Sequence, residues 1–209
     1  MAVLTPLSLN KQQVKADLNA FRALLNDPAR PNLKERRDIL PFFKARPHLC
    51  GFMGTYNPNI TNYKHILYAC EFDIFGDHVA DLVVGDAANH AYCFIEFEDA
   101  TETSVFKKSR GPTPGWSPRF EHGFSQLVDW ILWLENNRGN TAFQARFNAR
   151  IIHYNMLLVI GRDRHLASKG LKECLDWRTE QVVVASKKFN CITFDGLYND
   201  LRERSKGFR

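Results

Sequence analysis

Between residues 65 and 99, three short runs follow one another, HILYACEFDIFG, HVADLVVGD and AYCFIEFED, divided only by turn-forming residues. Each is rich in aromatic and β-branched residues, with apolar positions alternating or continuous, the pattern of a strand rather than a helix. Strands joined by links this short pair antiparallel, because a parallel return needs a crossover of about a dozen residues. The link GDAANH between the second and third runs reads as a hairpin turn. A β-meander therefore occupies the middle of the chain, and the remaining elements must pack around it.

Residues 8 to 26 carry Leu9, Val14, Leu18, Phe21, Leu24 and Leu25 at helical spacing, with Ser8 placed to cap the start. NDPARPN breaks that helix. A second helix is predicted over about 32 to 45, NLKERRDILPFFKAR, with Pro41 set to kink or end it, and 47 to 61 reads as loop. After the meander, RGPTPGWSPR is loop by composition. A helix follows over about 121 to 137, with Phe124, Leu127, Val128, Ile131 and Leu134 inward. YNMLLVIGR reads as a buried strand, 167 to 180 as a helix, FNCITFDG as a strand, and LYNDLRERSK as a last helix started by Asp195. A meander followed by alternating strands and helices predicts an α/β fold, one mixed sheet with helices on its faces.

A chain of 209 residues suits one domain with an added terminal segment. We expect residues 1–29 to be a helical N-terminal segment and 30–209 the domain. The formal net charge of +5 is compatible with an anionic partner without demonstrating one. The cysteines, Cys50, Cys70, Cys93, Cys174 and Cys191, show no CxxC spacing, so free thiols in a reducing compartment are expected rather than zinc or disulfides. The N-terminus has no signal-peptide pattern and no apolar run reaches membrane-spanning length, so the expected location is the cytoplasm, with no membrane partner. GxxxxGK[ST], a strand-linked GxGxxG, HExxH and GxSxG are all missing, which leaves nucleotide hydrolysis, dinucleotide binding, zinc peptidase and α/β-hydrolase chemistry without a motif.

The chemistry concentrates in FIEFED. Along a strand, Ile95 and Phe97 point one way and Glu96 and Glu98 the other. A hairpin centred near residue 88 sets Asp81 almost opposite Glu96, although a slip of one residue would turn Asp81 to the other face. Carboxylates gathered in this way repel by about 4 kcal/mol per pair at 4 Å and an effective dielectric of 20. A hard divalent ion such as Mg²⁺ is the natural partner of such a cluster. The same alternation also describes the solvated face of a half-exposed strand, and the pattern alone does not decide between the two.

ADLVV, FIEFED, SVFKKSRG, HGFSQLVDWILWLENN, LLVIGRDR and ITFDGLYNDL occur in this order over about residues 30 to 205. Together they resemble the catalytic domain of the Shedu anti-phage defence nucleases, of the PD-(D/E)xK restriction-endonuclease-like superfamily. The resemblance implies a restriction-endonuclease-like mixed central sheet flanked by helices. It also implies Mg²⁺ (or Mn²⁺)-dependent hydrolysis of nucleic acid, DNA above all, by a protein that assembles as a homo-oligomer.

On this resemblance Asp81 matches the metal-binding Asp and Glu96 the acidic residue of the (D/E)xK element. Position 98 departs from the pattern, with Glu where the superfamily has Lys. Glu98 would then add a metal ligand, and Lys107 or Lys108 would fold back to supply the cation. The alternative is a non-catalytic nucleic-acid-binding or oligomerisation module that keeps the fold. Gln126 matches a glutamine that faces the site, and Glu35 a helical glutamate used as an additional ligand. Lys107, Lys108, Arg110 and Trp116 are the expected nucleic-acid contacts. Trp116 is chosen because its Gly/Pro-rich loop leaves it free to stack, whereas Trp130 and Trp133 fall near the apolar stripe of their helix.

Overall fold

The computed structural model describes residues 3–76, 78–108, 115–167 and 170–207. The three predicted strands form the meander β2 (Ile66–Ile74), β3 (His78–Asp86) and β4 (Ala91–Phe97). To one side lies β1 (Thr5–Leu7), paired with β2. To the other lie β5 (His153–Val159) and β7 (Lys187–Ile192), with the short β6 (Val183–Val184) at the edge. The sheet order is β1-β2-β3-β4-β5-β7-β6. The first four strands run antiparallel, β4, β5 and β7 run parallel, and β6 is antiparallel to β7. This is the α/β mixed sheet expected, compatible with a nuclease-like fold.

Helices cover both faces. On one lie α4 (Pro118–Asn136), α5 (Thr141–Phe147) and α6 (Leu171–Gln181), whose Phe120, Leu127, Trp130, Phe143 and Leu175 pack with Tyr92 and Phe94. On the other, α1 (Lys11–Leu25), α2 (Leu40–Lys44), α3 (Pro47–Phe52) and α7 (Phe194–Gly207) enclose Cys93, Ile95 and Phe97. Val14, Leu18, Phe21 and Leu25 of α1 belong to this second layer, together with Leu197 and Leu201 of α7. Phe43 stacks on Phe97 with centroids 4.3 Å apart. Among the described residues, no helix is long and apolar enough to cross a membrane.

Three local expectations are corrected. The cap of α1 is Asn10, whose Oδ1 accepts from the N–H groups of Gln12 (2.9 Å) and Gln13 (3.1 Å). Ser8 lies too early, because Leu9 still donates its N–H to Tyr63 across an extended link. The helix over 32 to 45 begins as a π-helical turn, Glu35–Ile39, and continues through Pro41 to Lys44. The wider turn relieves the clash that a proline ring makes with the carbonyl four residues back. Residues 47–56 are not loop but α3 and a 3₁₀ turn, Met53–Tyr56. Pro47 opens α3, where a missing N–H is harmless. Gly51 is there for packing, since a Cβ at that position would lie 2.4 Å from Ile66 Cδ1. The short β1, β6 and α5 went unread, each too brief to set up a period of its own.

Candidate active site

β3 and β4 pair as far as Leu82↔Ile95, and one step beyond stand Asp81 and Glu96. There the ladder stops and a side chain takes over. Asp81 Oδ2 accepts the Phe97 N–H at 2.8 Å, so the carboxylate sits where the neighbouring strand would have been. On its other side the β2–β3 ladder skips from Cys70↔Leu82 to Phe72↔Ala80, leaving out Glu71, whose φ is +52°. Strict alternation fails across this break. Ala69 and Phe72, and likewise Ala80 and Val83, are three residues apart yet lie in one core layer. The site is thus made by a local disruption of the sheet on both sides of Asp81.

Glu96 has the same parity along β4 as Tyr92 and Phe94, which aims it towards α4. Gly123 of α4 lets the helix come close: a Cβ there would lie 3.1 Å from Glu98 Cγ and 2.8 Å from Leu158 Cδ1. From the opposite side Leu33 bridges to Ala100. Asp99 then accepts the Glu35 N–H and the Lys34 ammonium, both at 2.9 Å, which holds Glu35 at the same cleft. The cleft, about 900 Å³, has Asp81, Glu96, Glu98 and Asp99 on its floor, Gln126 and His122 on the α4 wall, and Lys34, Arg36 and Arg37 at its rim.

The floor is electrostatically unbalanced. Burial pushes the Asp81 carboxyl up to about 7 against the lowering pull of the Phe97 N–H, and Glu35 and Glu71 add to the rise. Burial, then Asp81 and Glu98, raise Glu96 well above the usual carboxylate range. Glu98, only 1% exposed, is pushed up to about 8 by burial, which outweighs the Arg119 charge beside it. Glu96 Oε2 and Gln126 Oε1 are buried with no hydrogen-bond partner. Glu98 Oε2 lies 3.0 Å from Arg119 Nη1 as an ion pair, but no N–H is aligned on it.

Among the described residues, no three His, Cys, Asp or Glu side chains close around a single point as a finished cation cage. The residues nonetheless fit a hard ion that keeps most of its water. Mg²⁺ needs only one or two protein carboxylates. Asp81 and Glu96 provide oxygens of the right kind at one place, one of them buried and unpartnered.

The family described as Shedu protein SduA, C-terminal, matches residues 32–198. The chain belongs to the Shedu family. No curated protein matches it. The Shedu match starts beside the Leu33 bridge and takes in every cleft residue named above, while α1 lies outside it.

Of the residues singled out from the Shedu resemblance, the cleft gathers Asp81, Glu96, Glu98, Glu35 and Gln126. The two lysines lie elsewhere. Lys107 is exposed, with its backbone N–H on the Gly115 carbonyl, and Lys108 pairs with Glu102 at 2.9 Å. Arg110 is outside the described residues. Trp116 is half-buried and stacked on Phe106 and Phe120, with centroids 4.6 and 4.4 Å away, and the Arg178 guanidinium lies 4.7 Å from its ring. Trp130 is fully buried, whereas Trp133 is partly exposed. Sequence reasoning missed Asp99, the rim cations Lys34, Arg36 and Arg37 and, above all, Arg119. One signal was available: an arginine in the first turn of a helix opposes the helix dipole and so asks for nearby acids.

Proposed function

We propose that this chain is a metal-dependent nuclease of PD-(D/E)xK type that hydrolyses phosphodiester bonds, with DNA as substrate and defence against phage as its setting. The supporting observation is the juxtaposition of Asp81 and Glu96 where β3 and β4 part, with a buried Glu96 oxygen left unpartnered. Membership of the Shedu family supports the defence role. Asp81 and Glu96 would hold Mg²⁺ or Mn²⁺, with Glu98 and Glu35 as further oxygen donors at the same cleft. When bound, the cation would lower the pKa of a water and take up charge developing on the phosphate.

Water attacks phosphorus in line with the leaving oxygen. The P–O bond to the departing sugar breaks, the water's proton passes to solvent, and solvent protonates the leaving oxygen. Gln126, whose Oε1 is buried and unpartnered, accepts a hydrogen bond from the attacking water and orients it. Lys34, Arg36 and Arg37 at the rim meet the flanking phosphates. A reducing cytoplasm suits the free cysteines, and self-association of the chain belongs to the same proposal.

The test is incubation with plasmid and with linear DNA, in Mg²⁺, Mn²⁺ or EDTA, for the native protein and for Glu96→Gln. Metal-dependent cutting that Glu96→Gln abolishes supports the proposal. Binding without cutting in every metal, equal in both proteins, overturns it. That outcome would support the second reading, a non-catalytic nucleic-acid-binding or oligomerisation module, which is favoured by the acid at position 98 and by the open arrangement of the carboxylates.

A further inference from the structure

A phosphodiester entering this cleft approaches Asp81, Glu96, Glu98, Asp99 and Glu35, so a cation must offset their repulsion at the phosphate. The rim cations sit at the edge of the cleft, each beside an acid other than Glu98. Lys34 is 2.9 Å from Asp99, Lys44 is 2.8 Å from Glu71, and Arg37 is 2.9 Å from Asp38. Arg36 is 93% exposed. Among the described residues, Arg119 alone pairs with Glu98 of the buried floor. Its Nη1 is 3.0 Å from Glu98 Oε2 and 3.2 Å from Glu35 Oε2, and its Nη2 is 3.7 Å from Asp99 Oδ2.

Three acids aim this one side chain, yet it remains 44% exposed. A guanidinium has five N–H donors in a planar fork. Among the described residues, Nε carries no hydrogen bond, so one edge of the fork is free for a second partner. Arg119 stands one turn before Gly123 and two before Gln126 on the α4 face that meets the floor, and the close approach at Gly123 sets its height above Glu98.

We propose that Arg119 is a catalytic residue that donates to the non-bridging oxygens of the scissile phosphate, taking the charge-balancing role expected of Lys107 or Lys108, neither of which lines the cleft. Glu98, Glu35 and Asp99 act on the reaction by positioning it. Two parallel N–H···O bonds to a phosphate are what the fork offers and a lysine does not. The proposal rests on the cleft being a phosphodiesterase site.

The experiment compares the native protein, Arg119→Lys and Arg119→Ala in Mg²⁺ with a labelled DNA duplex, measuring kcat and KM, with Arg119→Ala also assayed in added guanidinium chloride at low millimolar concentration. The expected result is a kcat lowered by about 100-fold or more in Arg119→Ala, a smaller change in KM, and partial recovery with guanidinium. Arg119→Lys retains intermediate activity and is the variant to use if Arg119→Ala does not fold. Cutting by both variants within about threefold of native overturns the inference and leaves the nuclease proposal standing. A loss that guanidinium does not restore in a folded Arg119→Ala also overturns it. A native protein that cuts no DNA in any metal overturns both together.

Discussion

Gly123 on α4 and Glu98 after β4 are so close that a methyl group on the glycine would lie 3.3 Å from a Glu98 carboxylate oxygen and 2.8 Å from the Leu158 side chain. The glycine sets the separation between the helix and the acidic floor. We therefore expect Gly123→Ala to push α4 outward and destabilise the protein by about 1–3 kcal/mol, the ordinary cost of overpacking. Urea unfolding measures the loss. If the side chain fits with no change in midpoint, the helix does not depend on this contact for its height.

The carboxylate cluster makes stability depend on pH in a definite direction. Asp81 rises from 3.8 to about 7 and Glu98 from 4.5 to about 8 on folding. A raised acid contributes stability that is complete below the unfolded pKa and is lost as pH climbs through the folded one. The chelated protein should therefore melt at progressively lower temperature between about pH 4 and pH 8. Mg²⁺ should raise the melting temperature more at pH 8 than at pH 5.5. Asp81→Asn keeps an acceptor for the Phe97 N–H, so it should melt higher than native at pH 8 in EDTA and respond less to Mg²⁺. Scanning calorimetry with and without Mg²⁺ reads both effects, and a flat pH profile in EDTA would contradict them.

Asp195 behaves in the opposite sense. Burial pushes its carboxyl up, but hydrogen bonds from Arg162 and from the Asp163 N–H more than reverse this, and its pKa falls below 3.8. The Arg162 side chain is only 4% exposed and its Nε is 2.8 Å from Asp195 Oδ2. Removing the charge strands a buried guanidinium, so Asp195→Asn should cost about 3 kcal/mol at pH 7. A depressed acid contributes stability above its unfolded pKa and loses it as pH falls through the folded value. The gap between native and Asp195→Asn should thus narrow below about pH 3.8 in urea titrations.

Trp116 should prove structural. Its ring is engaged by Phe106, Phe120 and Arg178. Trp116→Ala is expected to lower stability by about 2 kcal/mol, less than a fully buried tryptophan would, with little change in DNA affinity once the protein is folded. Fluorescence anisotropy with a labelled duplex checks the second half. A loss of affinity of tenfold or more at unchanged stability would return Trp116 to the role of a stacking platform.

Much of this architecture is legible in the residues. The meander follows from three alternating runs with links too short for a crossover, and the later strands and helices follow from the change of apolar spacing from two to about 3.6. The order of motifs in FIEFED and its neighbours was enough to point to the Shedu family, which the match over residues 32–198 bears out. Elements whose cause is non-local were misread. Gly51 looks like a loop residue and is a contact with Ile66, and Asn10 outranks Ser8 only because Leu9 is held by Tyr63.

By itself the sequence set Asp81 almost opposite Glu96, to within a slip of one residue, since hairpin length and strand alternation are local properties of the chain. Only the tertiary structure decided which cation answers them. Lys107 and Lys108 are nearer in sequence but lie outside the cleft, while Arg119 is brought in by a helix that packs across the sheet on Gly123. It decided the face of Asp81 as well, because the left-handed turn at Glu71 breaks the alternation on which any register argument depends. Charge balance in a buried site is set by distance through space, and that distance is fixed by how closely two backbones can approach.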